Sequence, residues 1–153
     1  MDGRIFVDAD ACPVKSEIVG AGRSHSREVV MVASHDHRLE QQDGVRVVQV
    51  DRSDQSVDLY IANQIRRGDI LVTQDFGLAA LALAKGVRCL SNRGQEYSDG
   101  NIDYLLDRRN ENARRRRGGG RTKGPKALTD EDRKQFLHSL TKLLLDQQEN
   151  KFL

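Results

Sequence analysis

The amino-acid sequence predicts an α/β domain built on a mainly parallel sheet. Short apolar runs recur through the first two thirds of the chain, and segments with helical apolar spacing separate them. The runs are nearly continuous and rich in β-branched residues, which is typical of strands covered on both faces. With 153 residues, the chain is long enough for one domain with a real core.

Five of these runs are predicted to be strands. They are short, they contain mostly valine, isoleucine and leucine, and they lie at residues 5–7, 29–32, 45–50, 70–72 and 87–90. Because helix-like segments alternate with them, the strands are expected to run parallel with helices on both faces of the sheet.

Four helices are predicted between and after these strands. Pro13 suits a first helical position, and the helix it opens is expected to end near Gly20 and Gly22. A second helix carries an apolar residue at every fourth position from Val57, and residues 78–85 form an alanine- and leucine-rich third helix closed by a glycine. Residues 101–112 are the fourth candidate.

The sequence changes character after residue 113, where the predicted α/β domain (1–113) ends. Residues 114–126 read R-R-R-R-G-G-G-R-T-K-G-P-K, and they offer no apolar side chain to bury, which predicts a flexible basic segment over 114–127. A final amphipathic helix is predicted within 128–153, because Thr129 and Asp132 stand near capping-box spacing ahead of an apolar stripe. That stripe is expected to pack on the domain or on a partner, including a second copy of the chain.

Charge is unevenly distributed along the chain. Residues 108–126 hold nine lysine or arginine residues and one glutamate, a local charge of +8. Since the whole chain carries +2, the remainder carries −6. An acidic body with a basic segment indicates contact with a polyanion.

Several classes of protein are disfavoured. No apolar run approaches the length needed to cross a bilayer, and the N-terminus lacks the pattern of a secretion signal. Cys12 and Cys89 do not form a C-x-x-C pair. A reduced, cytoplasmic protein without membrane contact is therefore expected, although two cysteines leave one disulfide open.

Acidic residues follow the predicted strands at one edge of the sheet. Asp8 and Asp10 follow the first strand, Asp75 follows the fourth, and Asp58 lies early in the helix after the third. Asp51, directly after the third strand, is a further candidate. Functional groups of parallel sheets gather beyond the carboxyl ends of the strands, so these side chains are expected to converge.

Several carboxylates at one edge repel each other, and a divalent cation is the usual compensation. Carboxylate ligands favour Mg²⁺ or Mn²⁺, which can activate water for attack on a phosphodiester. Each acid also has a structural interpretation: Asp75 and Asp10 are candidate N-caps, and Asp58 suits the dipole of its helix.

Two long motifs carry a family resemblance. I-F-V-D-A-D-A-C-P at residues 5–13 and G-D-I-L-V-T-Q-D-F-G-L-A at residues 68–79 resemble the YaiI/YqxD family of uncharacterised bacterial proteins. The resemblance extends over nearly the whole chain. That family is in turn similar to the PIN-like nuclease superfamily, which has an acid after its first strand, an aspartate early in a later helix, and a T-x-D after the next strand.

The resemblance implies a three-layer PIN-like fold and RNA cleavage that depends on Mg²⁺ or Mn²⁺. Asp8 or Asp10 matches the first of these positions, and Asp58 and Asp75 match the other two. All four aspartates are the expected catalytic and metal-binding residues. Two features depart from the PIN pattern. The first motif is a D-x-D followed by Cys-Pro, and the usual middle glutamate has only Glu17 as a candidate.

Polar residues near the same edge are candidates for binding the substrate. Four lie near predicted strand ends, namely Lys15, Thr73, Asn92 and Arg93. The others lie in the basic segment, namely Arg114, Arg115, Arg116 and Arg117. The arginines are expected to hold backbone phosphates rather than bases, because the chain lacks tryptophan and is only 5% aromatic.

Two other functions fit parts of the sequence. A non-catalytic RNA-binding protein with a degenerate nuclease site would use the basic segment alone. A phosphatase of the haloacid dehalogenase type would use Asp8 as nucleophile and Asp10 as acid and base. The G-D motif of such a phosphatase is matched only by Gly68-Asp69, which precedes its strand and is expected at the opposite edge of the sheet. Cys12, at a predicted helix N-terminus, is expected to have a lowered thiol pKa.

Overall fold

A six-stranded sheet forms the centre of the protein in the computed structural model, which describes residues 3–34, 39–51, 56–119 and 127–150. The strands are β1 (Ile5–Asp8), β2 (Val29–Ser34), β3 (Val45–Val50), β4 (Ile70–Val72), β5 (Arg88–Leu90) and β6 (Glu96–Tyr97). Their order across the sheet is β3-β2-β1-β4-β5-β6, and all are parallel except β6, which runs antiparallel to β5. The predicted mainly parallel α/β fold is confirmed.

Within the described ranges, five helices and one short turn connect or cover the strands. They are a 3₁₀ turn (Ala9–Ala11), α1 (Lys15–Ser24), α2 (Ser56–Gln64), α3 (Phe76–Ala84), α4 (Asp99–Arg117) and α5 (Asp130–Asn150). None of the helices in the described ranges has the length and apolar character needed to span a membrane.

The central strand β1 divides the core into two layers because its side chains alternate. Ile5 and Val7 point into one cluster, which also contains buried residues of α1 and α5. Phe6 points into the other, which is built with buried residues of α2, α3 and α4. The structure is therefore a three-layer domain with two helices on one face and three on the other.

Strand β1 also marks the point where the chain reverses its direction across the sheet. It pairs with β2 on one side and with β4 on the other. In open parallel sheets, ligands bind at the carboxyl edge beside such a switch point. Here that edge is formed by Asp8 at the end of β1 and by the residues that follow Val72 at the end of β4.

The C-terminal helix α5 packs on the domain itself. The predicted capping box forms, since the Thr129 hydroxyl accepts from the Asp132 amide at 3.1 Å and Asp132 accepts from the Thr129 amide at 3.0 Å. Most of the apolar stripe is buried, namely Phe136, Leu140, Leu143 and Leu144. Because these side chains are already buried within the chain, no second copy of the protein is needed to cover them.

Glycine 94 shows how closely α5 approaches the loop after β5. It has φ +85°, and a Cβ there would lie 2.8 Å from the Ser139 hydroxyl and 3.0 Å from Phe136 Cα. Any side chain at this position would push α5 outward. The helix is thus seated directly on a loop at the carboxyl edge of the sheet.

Two predicted helices and one strand differ from the structure. Helix α1 begins at Lys15 rather than at Pro13 and continues to Ser24, because Ala21 and Gly22 are themselves buried against the core. Strand β6 was not predicted, since two residues carry no periodicity. Helix α4 ends at Arg117 rather than at residue 112, so the four arginines Arg114–Arg117 form its last turn and do not begin a flexible segment. Arginine is a good helix former, and the helix stops at the glycines that follow. Residues 120–126 of the predicted segment lie outside the described residues.

Candidate functional site

Asp8 and Asp75 are joined through the hydroxyl of Thr73. The Thr73 Oγ1 donates to Asp8 Oδ2 at 3.2 Å and accepts from the Asp75 amide at 3.0 Å. Thr73 is only 1% exposed, so its hydroxyl is committed to these two partners. The T-x-D motif therefore positions two carboxylates, and Thr73 acts through them rather than by touching a substrate.

Asp75 also begins helix α3, as its structural interpretation predicted. Its Oδ1 accepts from the Leu78 amide at 3.1 Å, which makes Asp75 the N-cap of α3. A capping carboxylate keeps a second oxygen for other partners. The cap thus fixes Asp75 at the edge of the sheet without using up both of its oxygens.

Asp58 completes the group from the first turn of α2. Burial, a hydrogen bond to the side chain of Asp75, and the charges of Asp75 and Asp8 raise the pKa of Asp58 to about 7. Burial also raises the pKa of Asp8 above its ordinary value; the hydrogen bond from Thr73 opposes this effect, and the charges of Asp10 and Asp75 add to it. Three carboxyl groups from three separate elements therefore lie close together at the switch point, and we call Asp8, Asp58 and Asp75 the acidic cluster.

Asp10 stands at the side of the acidic cluster. Its two carboxylate oxygens lie 3.0 and 3.2 Å from the amide of Ser34, the last residue of β2. The negative charge of Asp10 helps to raise the pKa of Asp8, but the Asp10 carboxylate itself is hydrogen-bonded to the neighbouring strand. It ties the turn after β1 to β2, and it does not cap the helix after Pro13 as its structural interpretation proposed.

Asn92 and Arg93 hold the loops around the acidic cluster. The buried side chain of Asn92 donates from Nδ2 to the Ala11 carbonyl at 3.0 Å. The backbone N–H of Asn92 donates to Gln74 Oε1 at 2.8 Å. Arg93 pairs with Asp132 of α5 at 2.7 Å. These contacts connect three loops of the carboxyl edge to each other and to α5, which favours a positioning role over the predicted phosphate contact.

Lys15 and Glu17 lie on α1, on the opposite face of the sheet from α2 and α3. The Lys15 ammonium donates to the Cys12 carbonyl at 3.0 Å. Glu17 pairs with Arg133 of α5 at 3.2 Å, so it ties two helices together and does not fill the place of the middle glutamate. The exposed Asp51 follows β3, two strands away from β1 and outside the acidic cluster.

The Cys12 thiol differs from expectation. Cys12 is 5% exposed, and burial raises its pKa to about 11, which outweighs the favourable effects of the helix start and Lys15. A thiol with this pKa is a poor nucleophile at neutral pH. Cys12 and Cys89 are both free thiols. They lie in the two core clusters on opposite faces of the sheet, so they do not form a disulfide with each other.

Among the residues that the structure describes, a cation that the sequence did not single out lies beside the acidic cluster. Arg109 of α4 places Nη1 3.8 Å from Asp75 Oδ1. The residue belongs to the basic stretch 108–126, but no sequence signal separates it from its eight basic neighbours. The four arginines Arg114–Arg117 follow it along α4 and are exposed. They begin about 8 Å further along the helix axis, at a rise of about 1.5 Å per residue.

The donor atoms of the acidic cluster suit a hard divalent cation. All are carboxylate oxygens, the ligands that Mg²⁺ and Mn²⁺ prefer. In the part of the chain that the structure describes, no three acidic, histidine or cysteine residues surround a single point closely enough to hold an ion. Mg²⁺ is usually bound by one or two carboxylates and several waters, and the cluster fits that mode better than a closed protein cage.

Replacing Asp58 with asparagine is expected to stabilise the metal-free protein at neutral pH. The folded pKa of Asp58 is raised to about 7 from an ordinary value of 3.8, so its contribution to stability is lost as pH rises between these values. Asparagine does not ionise, so the stability of the variant does not fall in this way as pH rises. Its melting temperature in EDTA should exceed that of the wild type more at pH 8 than at pH 4, by about 2–4 °C for each kcal/mol relieved.

Asp51→Asn is the matched control for this prediction, since it removes one exposed acid from the same edge of the sheet. Its melting temperature at the two pH values measures the effect of removing one exposed acid from this edge, and that effect is subtracted from the effect of Asp58→Asn. A melting-temperature difference for Asp58→Asn that does not change with pH would contradict the predicted electrostatic coupling.

Together, the fold and the site define a three-layer α/β domain with an acidic cluster at the switch point of a parallel sheet. Residues 6–146 match the sequence profile of a family described as uncharacterised BCR, YaiI/YqxD family. The chain therefore belongs to the YaiI/YqxD family, as the two motifs predicted.

Similar proteins are found in several bacteria and bear the name UPF0178 protein. The one from Bacillus velezensis is 46% identical over 92% of this chain and 84% of its own length. Those from Halalkalibacterium halodurans and Listeria monocytogenes are 44% and 43% identical, and the alignments cover 92% of this chain and 89% and 95% of theirs. No solved structure matches the chain significantly.

Proposed function

We propose that this protein is a metal-dependent phosphodiesterase that acts on RNA. The observation that carries the proposal is the convergence of Asp8, Asp58 and Asp75 from three separate elements at the switch point. Like charges raise the energy of such a group unless a cation or a proton compensates them. The likeness of the motif order to PIN-like nucleases supports RNA as the substrate.

One or two carboxylates of the acidic cluster (Asp8, Asp58 and Asp75) would hold Mg²⁺ or Mn²⁺, and water molecules would fill its other positions. When bound, such an ion supplies an activated water and stabilises negative charge at the phosphodiester. Thr73 holds Asp8 and Asp75 at a fixed separation, and the N-cap contact to Leu78 fixes the direction of Asp75. The protein thus presents its carboxylates already oriented, so that little reorganisation accompanies the reaction.

The arginines of α4 would bring the polyanion to this edge. Arg109 lies beside the cluster, and Arg114–Arg117 extend the positive charge along the same helix. Positive charge next to a cleft raises the local concentration of a negatively charged substrate and speeds association, and this effect weakens as salt is added.

Incubation of the wild-type protein with a labelled, mixed-sequence single-stranded RNA tests the proposal. Cleavage is expected in Mn²⁺ and should cease in excess EDTA. A single-stranded DNA of the same sequence shows whether the ribose matters. If the wild type leaves the RNA intact in both Mn²⁺ and Mg²⁺, the nuclease proposal fails.

The exposed arginines at the end of α4 favour a second candidate, an RNA-binding protein without catalysis. RNA binding that persists in EDTA, combined with no cleavage in Mn²⁺, would identify it. The phosphatase alternative has less support. Asp69 is buried at the start of β4 and accepts hydrogen bonds from the amides of Arg4 and Arg66, both at 2.8 Å, so the G-D motif lies at the opposite edge from Asp8.

A further inference from the structure

The ion pair between Arg109 and Asp75 contributes little to stability. The side chains are 49% and 35% exposed, and ion pairs of this kind are worth about 0–1 kcal/mol. The distance of 3.8 Å is also longer than the roughly 2.7–2.9 Å of a charge-assisted hydrogen bond. The guanidinium therefore rests near the carboxylate without being locked to it, and it can move to a stronger partner.

The structure keeps space for this guanidinium at Gly77. A Cβ on Gly77 would lie 3.2 Å from Asp75 Oδ1 and 3.5 Å from Arg109 Nη1. A side chain here would crowd the capping carboxylate and fill part of the room beside the guanidinium. The glycine of the D-F-G sequence thus leaves the approach to the acidic cluster open from the side of α4.

The geometry of α4 separates Arg109 from its basic neighbour. Arg109 follows the buried Ile102 by seven residues, or two helical turns, and therefore lies on the face that packs against α3. Arg108 is rotated by about 100° and lies on another face of the helix. Two adjacent arginines of equal charge are thus placed differently with respect to the site.

We propose that Arg109 is a substrate-binding residue that rests on Asp75 in the free protein and transfers to a backbone phosphate when RNA binds. The inference rests on the RNA substrate of the proposed function. A guanidinium binds phosphate through two parallel N–H···O contacts, a geometry that the present 3.8 Å contact with a single carboxylate oxygen does not provide. The transfer also uncovers Asp75 at the moment the substrate arrives.

Fluorescence anisotropy with a labelled, mixed-sequence single-stranded RNA tests this transfer. The arginine variants are compared in an Asp75→Asn background, and every measurement is made in EDTA so that no cleavage disturbs it. Asparagine caps a helix as well as aspartate does, which preserves the start of α3. Asp75→Asn alone should bind RNA more tightly than the wild type, because it removes a negative charge and releases Arg109.

In this background, Arg109→Ala is expected to weaken RNA binding about tenfold or more, the effect of losing one charge-assisted phosphate contact. Arg108→Ala removes the same charge from the adjacent position and should weaken binding about twofold or less. Arg109→Lys should recover only part of the loss, because an ammonium lacks the planar fork.

Equal losses of RNA affinity for Arg108→Ala and Arg109→Ala would overturn the inference. They would show that both arginines act only through long-range attraction of the RNA and that Arg109 makes no specific phosphate contact. Failure of all variants to bind RNA would overturn it as well. A specific loss for Arg109→Ala in a protein whose wild type cleaves nothing would refute the nuclease and leave the role of Arg109 in RNA binding intact.

Discussion

Substituting asparagine for Asp8 is expected to lower the rate of Mn²⁺-dependent RNA cleavage by about two to three orders of magnitude. Asp8 ends the central strand and accepts a hydrogen bond from the Thr73 hydroxyl at 3.2 Å. The nearby charges of Asp10 and Asp75 help to raise its pKa. The substitution keeps the size of the side chain but removes the charge that would hold a cation. Catalysis should therefore be lost while the fold is retained.

The measurement is the initial rate of cleavage of a labelled single-stranded RNA at saturating Mn²⁺. Asp51→Asn serves as the matched control, because Asp51 is an exposed acid at the same edge, two strands from β1. Its rate should stay within about twofold of the wild type. RNA binding by Asp8→Asn in EDTA should not weaken, since removal of a negative charge reduces repulsion of the backbone. Equal rates for the wild type and Asp8→Asn would exclude the acidic cluster as the catalytic site.

Phe136→Ala is expected to destabilise the folded protein by about 3–5 kcal/mol. Phe136 is fully buried on the face of the sheet that α5 shares with α1, and its backbone lies against Gly94. Truncation leaves a cavity that α5 cannot close, because the loop at Gly94 already touches the helix. The loss is a large fraction of the roughly 5–15 kcal/mol by which domains are usually stable.

Guanidinium-induced unfolding followed by circular dichroism measures this effect. Leu137→Ala is the control, since Leu137 is the next residue of the same helix and 39% exposed. It should cost about 1 kcal/mol or less, in line with its smaller buried area. A similar midpoint for the two variants would show that α5 is not firmly seated on the sheet.

Much of the fold could be predicted because its signals are local. Buried strands such as Ile70–Val72 are continuous apolar runs, and the cap at Asp75 is visible in the sequence. The end of α4 could not be predicted from apolar periodicity, because Arg114–Arg117 bury nothing and are helical through backbone propensity and continuity with the preceding turns. The two-residue strand β6 depends on pairing with β5, which is a tertiary contact.

The site was predictable to the extent that strand order determines it. Asp8 and Asp75 follow adjacent strands, so their convergence follows from the parallel sheet. The engagement of Asp10 depends on the backbone of β2, and the raised pKa of the Cys12 thiol depends on burial by elements distant in sequence. Arg109 is one of nine basic residues in its stretch, and only the packing of α4 on α3 distinguishes it.

The position of α5 in the sequence has a consequence for synthesis of the protein. Its contacts at the carboxyl edge reach far back along the chain: Arg133 bonds the Pro13 carbonyl and Glu17, and Asp132 pairs with Arg93. A ribosome makes these partners before it makes α5. Until α5 has left the exit tunnel, one apolar face of the sheet lacks part of its cover, and the loops that border the acidic cluster lack the contacts that fix them. The nascent chain therefore needs Asp130–Asn150 before the edge of the sheet that carries Asp8 and Asp75 is fully assembled.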